Sequence, residues 1–87
     1  MAKFQTGRHV TTPGAYDFAM SLEGLSALGR HMDADWGEVS DDDKAANDAA
    51  LLEGGRLFSK YTIDGQPVWI ITEADRAYTT ILLPEEY

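Results

Sequence analysis

Two groups of residues in this 87-residue chain have the types and spacing to do chemistry. The first is acidic: Asp33, Asp35, Glu38, Asp41, Asp42, Asp43, Asp48 and Glu53 fall close together with Lys44 as the one base among them, a net charge of −7. The rest of the chain sums to −1, since the whole carries −8. Carboxylates gathered in this way can fill the Arg and Lys sites of a groove that otherwise tracks phosphates, through charge-assisted hydrogen bonds and steered association. The second group is the turn Glu73-Ala74-Asp75-Arg76 with Tyr78 behind it. An acid, a guanidinium and a phenol at such spacing have the groups for acid–base work. A turn tip on so small a domain offers little burial with which to shift a pKa, so these residues read as a charged turn with an internal Asp75 and Arg76 pair.

Other chemistries fail on residue type or spacing. There is no cysteine, which excludes disulfides, thiolate zinc sites, iron–sulfur clusters and cysteine nucleophiles. His9 and His31 lie in different segments and share no metal-ligand spacing, so each reads as a surface or helix-end residue; Arg30-His31 suits a helix C-terminus, where cations complement the macrodipole. A calcium loop starting at Asp33 would need Gly at its sixth position and Glu at its twelfth, and the chain has Glu38 and Lys44 there. Serine-nucleophile and phosphate-loop motifs are missing. No cofactor and no dedicated metal site is expected, and the reading is non-enzymatic. The seven bases, Lys3, Arg8, Arg30, Lys44, Arg56, Lys60 and Arg76, are scattered. With a pI near 4.4, direct binding to nucleic acid or to an anionic membrane is disfavoured and a basic partner is expected.

These groups must be positioned by a single domain, residues 1–87, for which 44% hydrophobic residues supply a core. No run approaches a membrane span and residues 1–10 have no apolar leader core, so a cytoplasmic protein is expected. The expected class is α+β, two or three helices followed by a three-stranded antiparallel β-meander. Lys3 to Thr11 has the weak pattern of a short edge strand. Thr12-Pro13 reads as a helix start, and Thr12 to Met32 as two short helices or one bent one, weakened by Gly24 and Gly29. Ser40 and Asp43 make a capping-box pattern that opens a helix to Glu53, closed by Gly54-Gly55. Ala45, Ala46, Ala49, Ala50 and Leu52 form its expected apolar face.

From Arg56 the period of hydrophobicity changes from 3.6 to 2, giving strands over Leu57 to Ile63, Val68 to Glu73 and Ala77 to Leu83. Asp64-Gly65 is a strong type I′ hairpin signal, which sets Tyr61 opposite Val68, Ser59 opposite Ile70 and Phe58 opposite Ile71. One sheet face then carries Leu57, Tyr61, Ile63, Val68, Ile70, Ile81 and Leu83, and the other Phe58, Trp69, Ile71, Tyr78 and Leu82. Both are apolar enough to need cover, so self-association through an uncovered face or edge, as a homodimer, is expected.

Asp35-Trp36-Gly37, then Asp43, Asn47 and Leu51, then Gly55-Arg56-Leu57, and above all Trp69 to Arg76 and Thr79 to Tyr87, resemble a group of small uncharacterised proteins of bacterial plasmids and prophages. The resemblance covers about Asp33 to Tyr87. It implies a mobile-element setting, in which small, acidic, cysteine-free single-domain proteins act as anti-CRISPR and anti-restriction inhibitors, several of them mimics of DNA charge. The function expected on this basis is a non-enzymatic anti-CRISPR-type inhibitor that covers a basic nucleic-acid-binding site, with a type I CRISPR effector subunit as a candidate partner. A plasmid regulatory or antitoxin-like interaction module and an anti-restriction DNA mimic are the alternatives. The candidate partner-binding residues are Asp33, Asp35, Glu38, Asp41, Asp42 and Asp48. Asp43 is set apart because of its capping role.

Overall fold

A computed structural model describes residues 2–87. Strand β1 (Arg8–Thr11) is followed by a 3-10 turn (Pro13–Ala15), helices α1 (Tyr16–Ala19), α2 (Leu22–Met32) and α3 (Asp41–Glu53), and then strands β2 (Leu57–Ile63), β3 (Gln66–Thr72) and β4 (Tyr78–Leu82). A second 3-10 turn, Pro84–Glu86, follows β4. The α+β class holds. No helix among the described residues is long and apolar enough to cross a membrane.

The hairpin register follows from the turn. Asp64 and Gly65 take φ of 52° and 78°, the positive values of a type I′ turn, and Tyr61 pairs with Val68, Ser59 with Ile70 and Phe58 with Ile71 as expected. The three-stranded meander is incomplete as a description: the sheet has four strands in the order β1-β4-β3-β2. β1 runs parallel to β4, from Arg8 beside Tyr78 to Thr11 beside Ile81, which makes the sheet mixed. A run as short as Arg-His-Val-Thr has no periodicity of its own. Its strand is created by the unpaired edge of β4, a contact about seventy residues away in the chain, as the Arg8 to Tyr78 pairing shows.

One sheet face is covered by the first two helices. Ala15, Ala19 and Ala27 meet Tyr61, Ile63, Val68, Ile70, Ile81 and Leu83, with Phe18 and Leu28 packed against them. The alanines permit a close approach, and Gly24 permits a closer one: a Cβ there would fall 1.9 Å from the Phe18 carbonyl oxygen. Gly24 is thus required where α1 turns into α2, which offsets its poor helix propensity. Ser21 caps α2 by accepting the Gly24 N–H at 3.0 Å, and Ser40 caps α3 by accepting the Asp43 N–H at 3.1 Å. Thr12 precedes its turn without capping it. Its hydroxyl donates to Glu86, whose carboxylate also accepts the Gly14 and Leu83 N–H groups, joining the two ends of the sequence. Those donors, Thr12 foremost and then Leu83, hold the Glu86 carboxyl below its usual pKa.

α3 is oriented opposite to expectation. Of the expected face Ala45, Ala46, Ala49 and Leu52 are exposed and only Ala50 is half-buried, and the buried residue is Asn47. The Asn47 amide donates to the Phe58 carbonyl at 2.7 Å and accepts the Phe58 N–H at 3.0 Å, reproducing the bond pair of a neighbouring strand. Two residues along β2, Lys60 donates its N–H to the Trp36 carbonyl and accepts the Glu38 N–H, at 3.1 and 2.8 Å. Gly37, at φ 73°, allows this: a Cβ would lie 2.0 Å from the Lys60 carbonyl oxygen. The outer edge of β2 is closed by one side chain and one loop, which prevents it from templating another strand.

His31, expected at a surface or helix end, is fully buried. Its Nδ1 lies 2.5 Å from the Ser59 hydroxyl and its Nε2 2.9 Å from the Thr72 hydroxyl, which is 2.7 Å from that of Thr79. Thr79 donates to the Thr6 carbonyl at 2.7 Å. That last bond fixes all the protons. With its own proton on Thr6, Thr79 accepts from Thr72; Thr72 therefore accepts from His31, so Nε2 carries the hydrogen and Nδ1 accepts from Ser59. Phe4 and Trp36 close over the ring at centroid distances of 5.4 and 5.6 Å. Burial, and secondarily the Arg76 charge, pull the His31 pKa down to about 4.

Two measurements test these interactions. Asn47→Ala orphans the donor and acceptor of Phe58 and is expected to cost about 2 kcal/mol in urea unfolding; an unchanged midpoint would show that water replaces the amide. For His31, the unfolded chain takes up a proton near its ordinary value of 6.5 while the folded chain resists until about 4. The histidine's stabilisation is complete above the unfolded value, falls as the pH drops through this window, and is lost in full below it, about 3 kcal/mol in all. His31→Gln should be less stable at pH 7 and have a flatter stability profile between pH 6.5 and 4.5.

Candidate partner-binding surface

The six candidate carboxylates fall on three elements. Asp33 and Asp35 belong to the turn that ends α2, where Ala34 takes a left-handed φ of 61°. The Ala34 N–H bonds to the His31 carbonyl and the Asp35 N–H to that of Arg30, the bond pair of a Schellman stop with alanine in the position glycine usually holds. This turn brings Asp35 onto Arg30, whose Nε and Nη2 donate at 2.8 and 3.2 Å. The paired guanidinium, with the Gly37 N–H, keeps the Asp35 carboxyl below its usual pKa. Asp33 is exposed at the end of α2.

Glu38 lies along the closed edge of β2, where it accepts the Thr62 hydroxyl at 3.0 Å. On α3, Asp48 accepts the indole N–H of buried Trp36 at 3.0 Å and the Lys44 ammonium at 3.2 Å. Both donors, Trp36 first, lower its pKa. Asp41 and Asp42 make no side-chain bond or ion pair among the described residues and are exposed. Asp35, Glu38 and Asp48 therefore hold the fold together through side-chain bonds, whereas Asp41 and Asp42 make none and act on the fold only as first-turn charge at the N-terminus of α3.

The outward face of α3 is the continuous part of this surface. Ala45, Ala49 and Leu52 recur at intervals of four and three residues, so they form one stripe along the helix. Leu52 is 89% exposed, more than any other large apolar side chain described. At 100° per residue, Asp41 and Asp48 flank the stripe on one side and Asp42 and Glu53 on the other. Asp41 and Asp48 are about 10 Å apart along the axis. The sequence pattern places Leu52 inward with the other apolar residues of α3, and the structure turns it outward. The signal to the contrary was Asn47, whose amide can pair with a strand edge that an alanine cannot satisfy.

The turn at residues 73–76 is built otherwise than expected. Arg76, at φ 60°, turns inward and donates to the carbonyls of Gly55, Glu73 and Ala50 at 2.5, 3.1 and 3.2 Å. The Asp75 and Arg76 pair is not formed: Asp75 accepts the Ala77 N–H, and Glu73 pairs with Arg56 at 3.4 Å. By bonding the Ala50 carbonyl in the last turn of α3 and the Gly55 carbonyl just past it, the guanidinium ties down the helix C-terminus. His31 is sealed beneath Phe4 and Trp36. No three acidic or histidine side chains converge as metal ligands among the described residues.

Comparison of the chain with protein-family models, with curated proteins and with solved structures gives no match.

Proposed function

We propose that this chain is a non-enzymatic inhibitor of the anti-CRISPR type, which lays the outward face of α3 against a basic nucleic-acid-binding site of a partner protein. A type I CRISPR effector subunit is the partner class carried by the resemblance to plasmid and prophage proteins. The observation that carries the reading is the composition of that face: Asp41, Asp42, Asp48 and Glu53 frame exposed Ala45, Ala49 and Leu52. The carboxylates engage the Arg and Lys side chains that otherwise hold phosphates and accelerate the encounter. The small stripe lets the helix seat closely, and Leu52 supplies the apolar anchor that a charged rim lacks.

The two contributions separate in one experiment. Asp41→Asn, Asp42→Asn and Glu53→Gln together remove charge that no internal contact uses, and should weaken competition with DNA for a purified type I effector roughly tenfold, mostly through association rate and mostly at low salt. Leu52→Ser should instead speed dissociation, with little change in salt dependence. Asp48 stays in place because it holds Trp36, and a cooperative melting transition, lowered by no more than the loss of first-turn charge on α3 explains, confirms that the variants fold. Full inhibition by the neutralised protein, or binding indifferent to salt, refutes this reading and moves the contact to the open face of the sheet, as the antitoxin-like alternative requires.

A further inference from the structure

The sheet face away from α1 and α2 holds a cleft of about 340 Å³ lined by Arg56, Phe58, Trp69, Ile71 and Tyr87. Strand register builds it. Phe58 pairs with Ile71 and Lys60 with Trp69, so alternation places all four side chains on this one face. Ile71, 4% exposed, is the floor. Phe58 and Trp69 meet at 5.1 Å and 88°, and Trp69 and Tyr87 at 5.6 Å and 66°, so three rings stand steeply around it.

Cages of this kind accept either a cation against the ring faces or a flat ring stacked among them. Here cations of the chain itself are already in place. The Lys60 ammonium is 5.5 Å from the Phe58 centroid and 5.8 Å from that of Trp69, and the Arg56 guanidinium is 5.8 Å from that of Tyr87. A positively charged ligand would be repelled. Lys60 has no ion-pair partner among the described residues, and Arg56 donates to the Tyr87 hydroxyl at 2.8 Å and holds Glu73 at 3.4 Å, longer than a tight charge-assisted bond. An ammonium without an ion-pair partner and a guanidinium whose Nε–H is not committed, both beside an apolar aromatic cleft, specify a ligand that is flat and negative. The volume is at the low end for small-molecule pockets, which run from ~300 Å³ upward, and admits one ring system and its substituent.

We propose that this cleft binds a small planar aromatic anion, one ring system bearing a carboxylate or a phosphate, with the ring against Trp69 and the charge on Lys60 and Arg56. The site is separate from the outward face of α3 and does not depend on its role.

Three probes share one ring and differ in charge: indole-3-acetate, indole and tryptamine. Titrated into the full chain and followed by the indole N–H signals in NMR, indole-3-acetate should shift Trp69 and bind about tenfold more tightly than indole, with tryptamine the weakest. The buried Trp36 signal serves as the internal control and should stay in place. Lys60→Gln, a surface change that leaves the backbone contacts of β2 intact, should bring indole-3-acetate close to indole. Adenosine 5′-monophosphate, titrated in parallel, assigns the anion: tighter binding than indole-3-acetate points to phosphate esters, weaker binding to carboxylic acids. Tryptamine binding as well as indole-3-acetate, equal movement of both Trp signals, or no binding by any probe at millimolar concentration would each overturn the proposal.

Discussion

The buried chain of hydroxyls and imidazole running from Ser59 through His31, Thr72 and Thr79 to the Thr6 carbonyl is the constraint on which the rest of the structure depends. It touches β2, α2, β3, β4 and the segment leading into β1, so it fixes the position of one helix and the N-terminal segment relative to three strands. No buried side-chain polar atom among the described residues lacks a partner. Such a network tolerates only one arrangement, because removing any member leaves its neighbours orphaned in a low dielectric. Apolar residues alone would let α2 slide along the sheet; paired hydroxyls at Ser59 and Thr72 fix both its register and its rotation.

From that fixed point the chain deals with its edges. β2 carries the Asn47 amide and the Trp36 to Glu38 segment along its outer side, and Trp36 is in turn held by Asp48 of α3. Trp36 also packs against His31, at 5.6 Å, so the edge closure and the polar chain are one assembly. α3 is therefore attached by hydrogen bonds more than by apolar packing. This leaves its alanines and Leu52 free to face outward, the reverse of an ordinary amphipathic helix.

That reversal marks the limit of what the sequence discloses. Signals that act over a few residues were legible: the Asp64-Gly65 turn and its register, the Ser40 cap, and the change of period at Arg56. Signals that depend on a distant partner were not. The edge strand expected within Lys3 to Thr11 forms, but that it joins the open edge of β4 in parallel is set about seventy residues away, and His31 is buried because hydroxyls 28 and 41 residues later point at it. The acidic residues were legible as a group, but their division was not, since Asp48 finds its indole 12 residues back and Glu38 its hydroxyl 24 residues on. A reading that sorts residues into polar outside and apolar inside places Asn47 and His31 wrongly for the same reason: each is a polar residue that completes backbone or hydroxyl bonding within the fold.

The internal commitments also change what a partner would feel. Arg30 and Lys44 are paired with Asp35 and Asp48, Arg56 lies against Glu73, and Arg76 is occupied by main-chain carbonyls. Most of the basic side chains are thereby tied to particular neighbours. Asp41, Asp42 and Glu53 have no ion-pair partner among the described residues. At physiological salt, charges more than ~8 Å apart are largely screened, so an approaching surface senses the charge nearest to it and not the total. The outward face of α3, about 20 Å long at 1.5 Å per residue, is longer than that screening distance. Its charge can steer a basic surface over only the last few ångströms of approach. In the proposed complex, the packing of Ala45, Ala49 and Leu52 would then govern how long the surfaces stay together.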